Sequence, residues 1–358
     1  MMNVKLQTKT FIVPPDHTLF RNCHASTVIV LPDNTRLTAF FGGEREGEGD
    51  VAIWTVRGDG ESWAPPRRLF AEDGLAHWNP VLLNEGNTVW LFYKVGPTVH
   101  TWTTRWSLSH DGGLTWSKPT ELVPGDSGPR GPVKNKLLVM SNGEWLAPAS
   151  VETEEIWDAF ADISADEGES WTRCDVPFAH HSNSDPHDNG GVWGGLAENA
   201  LWETDPQKVF RWDGVIQPSA WESAPGKIHM LMRSTRGHLY RTDSDDFGRT
   251  WSEAYPTGTV NNNSGIDVAE TGGVLALAYN PNGGNWGRRT PLSLALSNDN
   301  AKTFQRVIDL ETEEGEFSYP AIIARGKELH LTYTHNRKSI VYCHLTLEDG
   351  SFSGLQKR

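Results

Sequence analysis

The chain of 358 residues is poor in cysteine, holding only Cys23, Cys174 and Cys343. Their odd number argues against a disulfide framework and their spacing fits no metal site, so all three are expected as buried, reduced thiols. No apolar run approaches the length of a membrane-crossing helix, and none is expected to cross. Met1 to Pro15 lacks a basic start followed by an apolar core. No signal peptide is read there, and a cytoplasmic location is the expectation. Positive charge is also short, with 32 Lys and Arg against 46 Asp and Glu, a net charge of −14. That balance argues against a nucleic-acid partner, which needs a basic face. It leaves room for an anionic ligand, because a local group of arginines outvotes the global sign. Gly-rich pieces such as Asn189-Gly190-Gly191 do not open a helix after a strand, so no nucleotide cofactor is expected.

The chain is rich in tryptophan and glycine, 16 and 35 residues, which suits a turn-rich, all-β protein. One spelling, Ser-x-Asp-x-Gly-x-Thr-Trp, runs from Ser109 to Trp116 and returns from Ser244 to Trp251. Altered copies run from Ser164 to Trp171 and from Ser297 to Phe304, and a damaged one from Gly58 to Trp63. Each reads as a hairpin turn in which Ser and Asp side chains bond turn amides and Gly supplies a positive φ. Five copies make a repeat protein. Pairs of alternating runs precede the boxes or follow the last of them. They are Ala25–Leu31 with Arg36–Phe41, Pro80–Leu83 with Thr88–Tyr93, and Lys136–Met140 with Trp145–Pro148. The rest are Pro218–Trp221 with Ile228–Met232, Ile266–Ala269 with Val274–Tyr279, and Tyr319–Ile323 with Glu328–Tyr333. Six units of about four strands predict a single domain over residues 1–358, a six-bladed β-propeller of four-stranded antiparallel blades. The N-terminal Lys9–Val13 is expected to complete the last blade beside Tyr342–Leu345 and hide its edge. A long inserted loop at about 178–213 is expected to project from the disc.

In such a blade the start of the first strand and the end of the second meet on one face near the axis. The first set comprises His24, His77, Asn79, Asn135, Lys136, Gln217, Asn263, Asp267 and Tyr319. The second comprises Glu44, Arg45, Lys94, Glu152, Arg233, Asn280 and His335. Nearly all are polar, and their convergence on an axial mouth predicts a ligand site.

The boxes, the six-unit spacing and the arginine placement resemble the sialidase superfamily. The wording of Cys23–Thr27, His77–Pro80, Asn263–Asp267 and Gly315–Pro320 is similar to its BNR-repeat, predicted-neuraminidase group. Sialidases hold a sugar carboxylate with three arginines, use a Tyr–Glu pair as nucleophile and an Asp as general acid. The resemblance implies Arg233 for the second arginine, Arg288 or Arg289 for the third, and Tyr319 for the nucleophile with Glu316 close by. It also implies departures, with His24 at the first arginine, Asn79 at the general acid and Gln217 at the activating Glu.

Two arginines still suit an acidic sugar, sialate or uronate. Hydrolysis needs two carboxylates flanking the bond, and the candidates are Glu44, Asp50, Glu152, Asp267 and Glu316. β-Elimination needs a cation at the uronate carboxylate and a His or Tyr base, which His24 or His77, Tyr319, Arg233 and Lys136 would supply. A glycan-binding propeller without turnover is the third reading. The tract from His180 to Asp188 is expected as a solvated loop, and no metal or other cofactor is expected.

Overall fold

The computed structural model describes residues 3–126, 128–153, 155–180 and 213–348, and every regular element among them is a β-strand. After β1 (Asn3–Val13) come β2 (Asn22–Val30), β3 (Arg36–Gly43), β4 (Ala52–Gly58) and β5 (Arg67–Phe70), the last four forming one sheet. A second sheet holds β6 (Ala76–Glu85), β7 (Thr88–Gly96), β8 (Thr103–Ser109) and β9 (Thr120–Glu121). Eight strands then share a sheet. They are β10 (Leu138–Val139), β11 (Trp145–Glu152), β12 (Ile156–Ser164), β13 (Thr172–Asp175), β14 (Asp213–Ala224), β15 (Lys227–Ser234), β16 (His238–Ser244) and β17 (Tyr255–Val260). A fourth contains β18 (Asp267–Thr271), β19 (Val274–Tyr279), β20 (Leu292–Ser297) and β21 (Gln305–Glu311). The last combines β22 (Phe317–Arg325), β23 (Glu328–His335) and β24 (Ser339–Glu348) with β1.

This is a β-propeller arrangement of antiparallel sheets, but the described residues make four separate four-stranded sheets rather than six. The difference lies at one junction. β12 and β14 pair in parallel at Ile156↔Asp213 and Trp157↔Gly214, which hydrogen-bonds two groups of four strands into one sheet. Gly214, at φ 145°, allows the approach, since a Cβ there would lie 1.9 Å from the Trp157 carbonyl oxygen. At the seam between first and last strands, β1 pairs antiparallel with β24 from Asn3↔Glu348 to Val13↔Ile340, so neither strand is left as a raw edge on that side. Most of the inserted segment expected at 178–213, including nearly all of the His180–Asp188 tract, lies outside the described residues.

The apolar residues pack between neighbouring sheets. One cluster joins Leu37, Phe41 and Ile53 of the first sheet to Trp78, Leu91 and Tyr93 of the second. Another joins Leu294 of the fourth to Leu331 and Cys343 of the last. Inner strands are therefore buried on both faces, as in β3, while outer strands such as β5 and β9 stay wet. Cys23 and Cys343 are buried free thiols, whereas Cys174 on the outer strand β13 is half-exposed, contrary to expectation.

Four of the repeats share one hydrogen-bond pattern. The hydroxyls of Ser109, Ser164, Ser244 and Ser297 accept the N–H four residues on. Asp111, Asp166, Asp246 and Asp299 each accept the backbone N–H of the Thr or Ser four residues on through Oδ1 and its hydroxyl through Oδ2. The damaged first copy keeps part of this, with Asp59 Oδ1 accepting the N–H of Glu61 and Ser62.

Candidate functional site

Five residues at the starts of inner strands sit at positive φ without being glycine: Ala25 (52°), Asn79 (43°), Gln217 (53°), Asn263 (57°) and Tyr319 (53°). Four of these coincide with register breaks, at His24/Thr27, Trp78/Val81, Ile216/Ser219 and Ser318/Ala321. A non-glycine residue in this region costs on the order of 1–3 kcal/mol, and such strain gathers where a side chain must be aimed. The recurrence of Xaa-Pro at three of the positions, Asn79-Pro80, Gln217-Pro218 and Tyr319-Pro320, is the trace it leaves in the sequence.

The bulges bring a polar group together around Tyr319. Its hydroxyl accepts a hydrogen bond from Arg233 Nη1 at 2.8 Å and lies 3.4 Å from Gln217 Nε2. Arg233 is nearly fully buried and also donates to Gln217 Oε1 at 3.1 Å and, through Nε, to Asn263 Oδ1 at 2.8 Å. Its guanidinium lies 5.6 Å from the Trp157 ring. Three cations surround the Tyr319 ring, Lys134 and Arg289 at 5.7 Å and Arg233 at 5.8 Å. Arg289 donates to Glu316 Oε1 at 2.6 Å, and Arg337 donates to the same oxygen at 2.9 Å. This pairing holds Glu316 below the usual carboxylate range despite its burial. The His24 ring lies 4.0 Å from that of Tyr319, its Nδ1 meets Thr334 Oγ1 at 2.9 Å, and its buried Nε2 has no partner. Burial, then the charges of Arg337 and Arg289, pushes His24 well below its ordinary pKa, so it is neutral. A cavity of about 640 Å³ opens alongside, lined by Arg288, Arg289, Thr290, Glu313, Glu314 and Glu316 among others.

Tyr319, His24, Glu316, Arg233, Arg289 and Gln217 are thus brought together, and Asn79 occupies the equivalent bulge of the second sheet. Several other expected residues are not. Glu44, Arg45 and Asp50 lie in an exposed turn beyond β3, where Glu44 pairs with Arg21, Arg45 with Glu48, and Asp50 accepts the Glu44 N–H. His77 is a structural residue, since Nε2 accepts the Glu72 N–H and Nδ1 meets the Leu75 carbonyl. Lys94 is buried away from Tyr319, bound to Thr104 Oγ1 and the Arg130 carbonyl, and desolvation lowers its pKa to about 7. Asp267 staples three elements by accepting from Ser219, Lys136 and the Ile322 N–H, which commits Lys136 as well. Arg288 is exposed, so Arg289 is the arginine that faces the cluster.

Sequence reasoning missed Lys134, Arg337 and, as a titrating group, Glu152. Lys134 is buried, bonds Asn135 Oδ1 and the carbonyls of Ile266 and Pro320, and is lowered to about 7 by desolvation. Arg337 sits in the three-residue turn 336–338 between β23 and β24, with Asn336 and Arg337 both at positive φ. Turns of that kind carry no site signal. Glu152, at the end of β11, is pushed up to about 7 by burial, against the opposing charge of Arg233. A carboxyl poised there can hold or release a proton near neutral pH.

Residues 34–331 match the family described as BNR repeat-like domain, most of the chain. The chain belongs to the BNR repeat-like domain family. This BNR-repeat chain superposes on the Hadza microbial sialidase with a TM-score of 0.71 at 15% identity, over 94% of this chain and 68% of the other. A protein of unknown function from Dyadobacter fermentans gives 0.71 at 14% identity, over 97% and 100%. Trypanosoma rangeli sialidase gives 0.67 at 14% identity over 91% of this chain, which spans only 55% of that sialidase. At such identities the likeness is one of fold. No curated protein matches the sequence.

Proposed function

We propose that this BNR-repeat chain is a carbohydrate-active enzyme of the sialidase superfamily, an exo-acting glycoside hydrolase for a glycan ending in an acidic sugar. In this reading residues 1–358 form one six-bladed propeller, the eight-stranded sheet counting as two blades. The observation that carries it is the Tyr319 phenol held by Arg233 and ringed by Arg289 and Lys134. Arg289 is shared with Glu316, while Arg233 donates to the neutral oxygens of Gln217, Asn263 and Tyr319, and a planar guanidinium so held matches a sugar carboxylate. Tyr319 is then the nucleophile: its oxygen bonds the anomeric carbon as its proton passes to solvent, the Arg233 N–H stabilises the developing phenolate, and protonated Glu152 gives its proton to the leaving oxygen as the glycosidic bond breaks.

One observation favours a second reading. Gln217, an amide, stands beside the Tyr319 hydroxyl where a carboxylate would accept its proton. Neutral His24, its ring tilted against that of Tyr319, suits β-elimination next to a uronate, with Tyr319 as the base. Incubation with sialylated and uronate-containing glycans separates the two. New reducing ends without ultraviolet absorbance, lost in Tyr319→Phe, support the hydrolase. Reducing ends with absorbance from a new double bond establish the lyase. Saturable binding without turnover would leave a glycan-binding propeller.

A further inference from the structure

Far out on the last sheet, three side chains share one face of two neighbouring strands. Glu328 and His330 are two residues apart on β23, and His344 on β24 stands directly opposite His330. The rings of the two histidines are parallel, with centroids 5.0 Å apart and planes inclined by 5°. Glu328 places one carboxylate oxygen 3.8 Å from His330 Nε2 and the other 3.6 Å from His344 Nε2. One ligand atom from each residue lies within 4.8 Å of the others. These separations are too long for hydrogen bonds, and both Nε2 atoms are buried without a partner. Buried polar atoms are nearly always satisfied, so two orphaned ring nitrogens close to one carboxylate require an explanation.

We propose that Glu328, His330 and His344 bind a divalent transition-metal ion of the zinc class. Two imidazole nitrogens and one carboxylate oxygen are a zinc-type donor set, and tetrahedral bonds of about 2.0–2.1 Å would draw the three groups together by roughly an ångström. The tautomer that offers Nε2 puts the proton on Nδ1, where it donates to the Tyr342 oxygen at 2.7 Å. Metal-bound histidines make such an outer hydrogen bond almost without exception. Arg36, which also donates to that oxygen, and Arg325 place positive charge near His330, and Glu328 offsets part of it. The donor set of two imidazoles and one carboxylate disfavours calcium or magnesium, which need several oxygen ligands, and suits an ion that bonds imidazole strongly. Glu328 is half-exposed, which gives the ion an entry and a water its fourth position.

The test uses the full chain stripped of metal with a chelator, then titrated with Co²⁺ and Zn²⁺. The expected result is one equivalent of Co²⁺ giving visible ligand-field bands, displaced by Zn²⁺, and a Zn²⁺-dependent rise in melting midpoint of at least about 2 °C. The pair of rim substitutions His344→Ala and Glu328→Gln should abolish both signals while leaving the metal-free melting midpoint close to wild type. Tyr342→Phe should weaken binding by about tenfold. Absence of the bands and of the midpoint shift at stoichiometric metal would overturn the proposal. So would binding that survives the rim substitutions, which would assign the ion to other histidines.

Discussion

Tyr319 and Arg233 depend on one another at the scale of single residues, because the guanidinium that fixes the phenol oxygen also carries Gln217 and Asn263. Lysine cannot span three acceptors with one fixed fork, so Arg233→Lys should lower kcat/KM on the acidic glycan by about 100-fold or more. Steady-state kinetics on folded protein checks this. Glu152 makes a pH prediction. Its folded pKa of about 7 lies above the ordinary value of 4.5, so the folded state binds the proton more tightly. The wild type should therefore lose stability relative to Glu152→Gln as pH rises from about 4.5 to 7, and the two curves should run parallel outside that window. Denaturation midpoints across pH 4 to 8 report it, and the alkaline limb of activity should vanish with the carboxyl. At this scale the sequence placed Arg233 and Tyr319 at inner strand ends, and the fold brings the two side chains into contact. Lys134 and Arg337 were not readable, because a charge in a loop or turn looks solvated until the fold buries it, whereas Glu152 was placed at a strand end but its raised pKa depends on burial.

Elements carry their own predictions. Asp111 is held below the ordinary carboxylate range first by the Thr115 hydroxyl, then by the Thr115 amide and Ser109. A depressed pKa contributes stability above the unfolded value and loses it as pH falls through the folded one. Asp111→Ala should thus lower the melting midpoint by roughly 2–4 °C at neutral pH, with the gap closing in acid. At the β12–β14 junction, Gly214→Ala would press a methyl against the Trp157 carbonyl, a backbone atom that cannot swing aside. It should cost about 3 kcal/mol or more in denaturant unfolding, and the shift of Trp157 should reduce activity through Arg233. The turn repeats and strand pairs were legible because their periodicity is local. The parallel pairing was not, since two residues on each strand leave no pattern.

Across the whole molecule the seam between β1 and β24 closes what would be an open sheet edge. Lys9 anchors it through Glu311 at 2.9 Å and the Leu310 carbonyl at 2.8 Å. Removing residues 3–13 should produce a protein that unfolds at lower denaturant and associates through the bare edge of β24, visible by light scattering. Periodic spacing, turn chemistry and alternation are short-range properties, so the sequence by itself determined the all-β class, the repeat and this seam. Which polar strand ends converge is a matter of three-dimensional aim. Bulges at Gln217 and Tyr319 turn those side chains toward the cluster, while Asp267 and Lys136 become staples and Glu44, Arg45 and Asp50 swing into solvent. Only the tertiary structure decided that, because burial and neighbours, not residue type, set a side chain's partners and charge.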